Sequence, residues 1–225
     1  MTGAALSVAS SIHPLRRRLT PARVPDRLSG NSNRRHIALT FDDGPDPAST
    51  PHFLALLERH GVRATFFLLG RHAAAEPDLL RRMVGEGHEL AVHGWTHRCT
   101  ALLPPQALRE QLRAARDVVE EAARAPVRWY RPPYGVLAPW TVRVAADLRL
   151  ETVLWSAWGR DWERRATPSR IVSTVRRELR PGGTVLLHDT DRSSAKDSWR
   201  ATLAATELLL RDRATPFGPL AEHWG

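Results

Sequence analysis

Short apolar runs recur along the chain at 36–41, 64–69, 89–92, 127–130, 152–155, 184–187 and, more weakly, 216–220. Each is too short for a helix and is bounded by turn-forming or polar residues, so they read as about seven strands. Between them the apolar spacing lengthens to helical periodicity, which predicts helices at about 50–60, 77–86, 104–123, 138–148, 168–180 and 198–212. Pro51, Pro77, Pro105, Pro139 and Pro168 fall in the first turns of five of these. No helical hydrogen bond needs the missing amide proton there. Strands alternating with helices predict a parallel sheet.

Five of the predicted strands end in a polar cluster. These are Thr40-Phe41-Asp42-Asp43-Gly44-Pro45, His93-Gly94-Trp95-Thr96-His97, Arg131-Pro132-Pro133-Tyr134-Gly135, Arg160-Asp161-Trp162 and Leu186-Leu187-His188-Asp189. An open sheet concentrates its site at one switch point, whereas a barrel turns every C-terminal strand end toward a common centre. Five clusters therefore favour the barrel. Gly44 is followed by Pro45, not by a glycine-rich phosphate loop, and dinucleotide chemistry drops away.

With 225 residues and 42% hydrophobic content, the chain suits one core and one domain. Residues 34–225 are expected to form it, and residues 1–33, rich in Arg, Pro, Ser and Asn, to form an irregular tail. The net charge is +9, but the basic residues number 33 with Lys196 the only lysine, a skew that reads as codon bias as much as selected charge. They are scattered beside acidic neighbours and not interleaved with aromatics, so a nucleic-acid partner is not expected. Lone Cys99 excludes an internal disulfide and reads as a small, half-buried side chain. No run approaches the ~20 apolar residues of a membrane span. The N-terminus lacks the pattern of a secretory signal, and a cytoplasmic address is expected.

The clusters carry the chemistry only together. His93 and His97, four apart, can face one ion if the segment turns helically, and imidazole with carboxylate is an ordinary zinc set. Taken alone they would pass for solvated imidazoles at a helix start. Asp42 and Asp43 are adjacent at a strand end, where neighbours point in opposite directions, so one can ligate a metal while the other takes a proton from water. Alone, Asp-Asp-Gly-Pro is a turn. Arg131 could pair bidentately with the basic aspartate, and Asp161 could hold His188 in one tautomer and raise its pKa for use as a general acid.

In this order the five clusters resemble the polysaccharide deacetylase family, the carbohydrate esterases that share the NodB homology domain, over about residues 35–222. The resemblance implies an α/β fold, a distorted (β/α) barrel of about seven parallel strands. It implies a divalent metal, usually zinc with cobalt or nickel as substitutes, held by Asp43, His93 and His97. By the same resemblance Asp42 is the general base, Arg131 tethers it, the Tyr134 amide helps hold the oxyanion, Asp161 orients His188, and His188 is the general acid. The implied reaction removes an N-linked acetyl group from a sugar, oligosaccharide or glycoconjugate. A non-sugar amide substrate and a catalytically silent carbohydrate-binding role are the alternatives; oligomeric state is left open.

Two positions depart from the family pattern. Gly94 stands where Ser or Thr commonly follows the first histidine, with Thr96 available as a substitute hydroxyl. Trp158 stands where an acidic residue often precedes Asp-Trp, which groups Trp155, Trp158 and Trp162. From these we expect Trp162 to be packed and Trp158 to lie near the cleft, both contributing to substrate binding.

Overall fold

The structure, a computed structural model, describes residues 7–8, 26–212 and 214–224. In chain order the strands are β1 (Ser7–Val8), β2 (Ile37–Asp42), β3 (Thr65–Leu68), β4 (Glu89–Val92), β5 (Trp129–Tyr130), β6 (Val136–Leu137), β7 (Glu151–Thr152), β8 (Ala157–Trp158), β9 (Thr184–His188) and β10 (Phe217–Gly218). The helices are α1 (Asp26–Ser29), α2 (Thr50–His60), α3 (Gly70–Ala75), α4 (Pro77–Gly85), α5 (Pro105–Ala123), α6 (Thr141–Asp147), α7 (Pro168–Glu178), α8 (Ser198–Leu210) and α9 (Ala221–Trp224). Seven strands run in the order β7-β5-β4-β3-β2-β9-β8, all parallel, with β10 pairing the lower end of β2. They curl into a half-barrel wrapped by the helices.

The barrel stays open between β7 and β8, which follow each other in sequence without pairing. The segment starting at α1 fills that gap: Leu154 donates its amide proton to the Leu28 carbonyl, and Ser32 donates to that of Gly182. The stretch expected as an irregular tail before residue 34 thus contains α1 and, at β1, a two-residue antiparallel pairing with β6.

Strand periodicity sorts the side chains. Leu39, Phe41, Phe66, Leu68, Leu90, Val92, Val185 and Leu187 face outward and pack with Leu54, Leu57 and Leu112 of the surrounding helices. Burying each such side chain contributes about 1.5–3 kcal/mol. The alternate positions Ala38, Phe67, Ala91 and Trp129 form a separate cluster inside the barrel. Continuing that parity upward gives Asp42, His93, Arg131 and His188, so polar residues crown the inner stack at the C-terminal ends of the strands.

Five helices begin and end within two residues of their expected positions, and α6 starts three residues late, beyond Pro139. Helix α3 and strand β8 were among the elements not legible. Helix α3 lies in an Ala-rich stretch without a clear stripe, and β8 is a two-residue strand that exists only through its pairing with β9.

Candidate active site

Parallel register brings the first pair together: Asp42 lies directly opposite His188 across β2 and β9. Asp43 should by parity face the outer helices. Its backbone instead takes φ 78°, in the left-handed region that Asp tolerates better than most residues. This turns its carboxylate back over the barrel, so Asp42 and Asp43 line the same cleft. The expectation that they point apart fails for this reason.

His93 and His97 also converge, but not by a helical turn. The segment between them is an irregular bend with Gly94 at φ 98°, a conformation in which a side chain is strained. The glycine that replaces the family's usual hydroxyl is thus what this backbone requires. Thr96 directs its hydroxyl to Gln111.

Asp43 Oδ1 lies 3.3 Å from both His93 Nε2 and His97 Nε2. It is buried with no hydrogen-bond partner. The three ligand atoms lie within 4.8 Å of one another, and tetrahedral zinc with ligand bonds near 2.0–2.1 Å separates its ligands by about 3.3 Å. His93 Nδ1 sits 2.8 Å from the Arg131 carbonyl, which fixes the proton on Nδ1 and leaves Nε2 as a lone-pair donor. Burial holds the His97 imidazole down at about 4 despite the Asp43 charge, with His93, His188 and Arg71 acting alongside, so it is neutral at pH 7. Burial opposes the ionised form of Asp43, yet the adjacent His93 imidazole, with His188 and His97 beside it, holds it well below the usual carboxylate range. An orphaned buried oxygen flanked by two imidazole nitrogens fits a divalent cation.

Arg131 has 0% exposure. Its Nη1 donates to Asp42 Oδ1 at 2.7 Å and to Thr40 Oγ1 at 2.8 Å, while Nη2 donates to the Leu154 carbonyl at 2.9 Å. The guanidinium lies 3.9 Å from the Phe67 ring centroid. The expected bidentate pair is not formed, because the fork is shared among the carboxylate, Thr40 and the barrel gap. Asp42 Oδ2 is left facing His93, 3.8 Å from its Nε2. Thr40, two residues before Asp42 and on the same face, was missed by sequence reasoning, and the strand period would have found it.

Across the cleft, Asp161 Oδ1 lies 3.0 Å from His188 Nδ1, and its Oδ2 accepts from the His188 amide at 2.7 Å and from Thr202 Oγ1 at 3.0 Å. Burial disfavours the imidazolium, but the charge and hydrogen bond of Asp161, with Asp43 and Asp42 beyond, push His188 up to about 10. Its Nε2 faces the site, 4.0 Å from Asp43 Oδ2.

The cleft has a volume of about 290 Å³ and is walled by Trp155, Trp158, Trp162 and Leu186 opposite Tyr134. Trp158 lies at the cleft as expected, as part of its buried wall, but Trp162 is not the packed residue it was expected to be. Trp158 is 6% exposed and clusters with Trp155 and Leu186, whereas Trp162 is only partly buried at the rim. Strand β8 turns Trp158 inward, and the loop after it leaves Trp162 at the edge. Tyr134, 52% exposed, stands in a left-handed conformation at the lip with its ring against His97, centroids 4.3 Å apart. Cys99 is half-buried and outside the ligand cluster.

Among known families, the polysaccharide deacetylase model matches residues 29–153. The chain belongs to the polysaccharide deacetylase family. It is 44% identical over 162 residues to a chitooligosaccharide deacetylase of Bradyrhizobium sp. (strain ANU 289), covering 70% of this chain and 72% of that one. The Bc1960 peptidoglycan N-acetylglucosamine deacetylase superposes with a TM-score of 0.78 at 29% identity, over 87% of this chain and 91% of that one. A CE4 family pseudoenzyme from Bacillus anthracis superposes with 0.76 at 28% identity, over 87% and 67%. As a polysaccharide deacetylase the chain is a hydrolase of non-peptide carbon–nitrogen bonds. Since the fold also supports a pseudoenzyme, the residues in the cleft must carry any finer statement. Among the described residues, no helix is long and apolar enough to cross a membrane.

Proposed function

We propose that the protein hydrolyses the N-acetyl group of an amino sugar within an oligosaccharide or glycoconjugate, with zinc at Asp43, His93 and His97. The observation that carries this reading is the convergence of the Asp42–Arg131 pair, the Asp43/His93/His97 cluster and the Asp161–His188 pair on one cleft walled by tryptophans. The names of the relatives, chitooligosaccharide and peptidoglycan deacetylases, support the substrate class. A bound divalent ion supplies Lewis acidity toward the acetamide carbonyl and acidifies water.

The remaining work falls to side chains. Asp42 takes the proton of the attacking water through Oδ2, while Arg131 holds Oδ1 and so fixes the carboxylate plane. His188, charged and aimed into the cleft by Asp161, delivers a proton to the nitrogen as the carbon–nitrogen bond breaks. Neutral amine and acetic acid then leave, and the protons of the acid and of Asp42 pass to His188 and the released amine, which restores both residues. The Tyr134 amide at the lip is assigned to the developing oxyanion. Trp155, Trp158 and Leu186 exclude water around the acetyl methyl, and Trp162 offers its face to the sugar ring.

The test is acetate release from N-acetylglucosamine oligomers by purified protein, before chelation, after it, and after zinc restoration. Zinc-dependent acetate is expected. A protein that binds zinc stoichiometrically and releases no acetate from any oligomer would overturn the assignment.

A further inference from the structure

The residue after His188 has no part in the reaction outlined above, yet it is placed where two of its loops meet. Asp189 is 0% exposed. One carboxylate oxygen, Oδ2, accepts the Thr50 hydroxyl proton; the other, Oδ1, is buried without a partner. Both press on Gly44, where an added Cβ would stand 2.6 Å from Oδ2 and 2.7 Å from Oδ1. Gly44 is therefore glycine because the Asp189 carboxyl occupies its side-chain space.

Thr50, itself fully buried, passes the contact on. Its Oγ1 accepts the Asp46 amide proton at 2.9 Å. Asp46 Oδ2 in turn accepts from Thr190 Oγ1 at 2.8 Å and from Arg192 Nε at 2.8 Å. The turn 43–46 is thus gripped from the β9 side at two points, Asp189 on Gly44 and Thr50, and Thr190 with Arg192 on Asp46. Its other face is held by the Leu69 amide, which donates to the Gly44 carbonyl at 3.0 Å.

We infer that Asp189 is a positioning residue: wedged between Gly44 and Thr50, its carboxyl fixes the turn that carries Asp43 relative to the strand end that carries His188. Leaving a buried acceptor without a donor costs stability, and such a local cost is characteristic of sites kept for function. The inference rests on the proposed deacetylase reading for its kinetic part and is independent of it for metal affinity.

The experiment compares Asp189→Ala, Asp189→Asn and Thr50→Val by zinc affinity, read by chelator competition, and by kcat and KM on N-acetylglucosamine oligomers. Asp189→Ala is expected to weaken zinc about tenfold or more and to lower kcat by a similar factor with KM within about twofold. Asp189→Asn, which keeps the shape and the acceptor for Thr50, is expected to restore most of both. Adding Thr50→Val to Asp189→Ala should cost less than the sum of the two single changes, because both remove the Asp189–Thr50 contact. Wild-type zinc affinity and kcat in a folded Asp189→Ala protein would overturn the inference, as would a loss confined to melting temperature. If Asp189→Ala does not fold, Thr50→Val with wild-type zinc affinity and kcat has the same force. Should no oligomer prove to be a substrate, the zinc measurements still decide the role of Asp189.

Discussion

Replacing Arg131 by Met tests the interior of the barrel most directly. The guanidinium is fully buried and donates to Asp42, Thr40 and the Leu154 carbonyl. Met fills similar space beside Phe67 but removes every donor, leaving the Asp42 carboxylate buried without its counter-ion. Breaking a buried pair from one side costs about 3–5 kcal/mol. In a protein of this size each kcal/mol moves the melting temperature by about 2–4 °C, so the metal-free protein should melt about 6–20 °C lower. Removing the stranded charge as well, in Arg131→Met/Asp42→Asn, should recover the larger part of that loss, because the two effects share one interaction. Calorimetry of the metal-free proteins at pH 7 measures both, and turnover of Arg131→Met should fall by at least about a hundredfold as Asp42 loses its orientation. If Arg131→Met melts within about 2 °C of wild type, the guanidinium is not the internal tether described here.

The proton carrier and the ligands should separate cleanly. Asp42→Asn is expected to lose about a hundredfold or more in kcat while binding zinc at one equivalent, whereas His97→Ala should lose zinc and turnover together; elemental analysis alongside acetate release distinguishes them. Trp162→Ala should raise KM by about two- to tenfold with little change in kcat, the range expected for one aromatic stacking contact; an unchanged KM would remove Trp162 from the binding surface. Acid stability follows from two histidines remote from the cleft. Burial pushes His88 and His223 each down to about 4, His36 acting with burial on the latter. These values lie below the unfolded 6.5, so the unfolded chain takes up protons first and stability is lost as pH falls from 6.5 toward 4, by up to about 1.4 kcal/mol per pH unit for each group. Melting temperatures between pH 7 and 4.5 should show this decline, and His88→Gln should flatten it.

The order of strands and helices, the barrel and the polar strand ends were legible in the sequence because each rests on local periodicity. An outward Leu39 or Phe41 implies an inward Ala38, Thr40 and Asp42 whatever the rest of the chain does. The same parity marks His93, Arg131 and His188 as inward. What it cannot supply is backbone that leaves the period: Asp43 at φ 78° and Gly94 at φ 98° turn their segments toward the site by departures that no repeat encodes. Nor could spacing tell that Arg131 would divide its donors between Asp42, Thr40 and the Leu154 carbonyl, since the last two become neighbours only when the half-barrel closes around its gap. The tryptophans were legible as a group and not as individuals, because β8 exists only through pairing with β9. Sequence alone thus determined which residues crown the barrel; tertiary structure decided which of their atoms meet, because hydrogen-bond sharing and left-handed turns depend on partners far away along the chain.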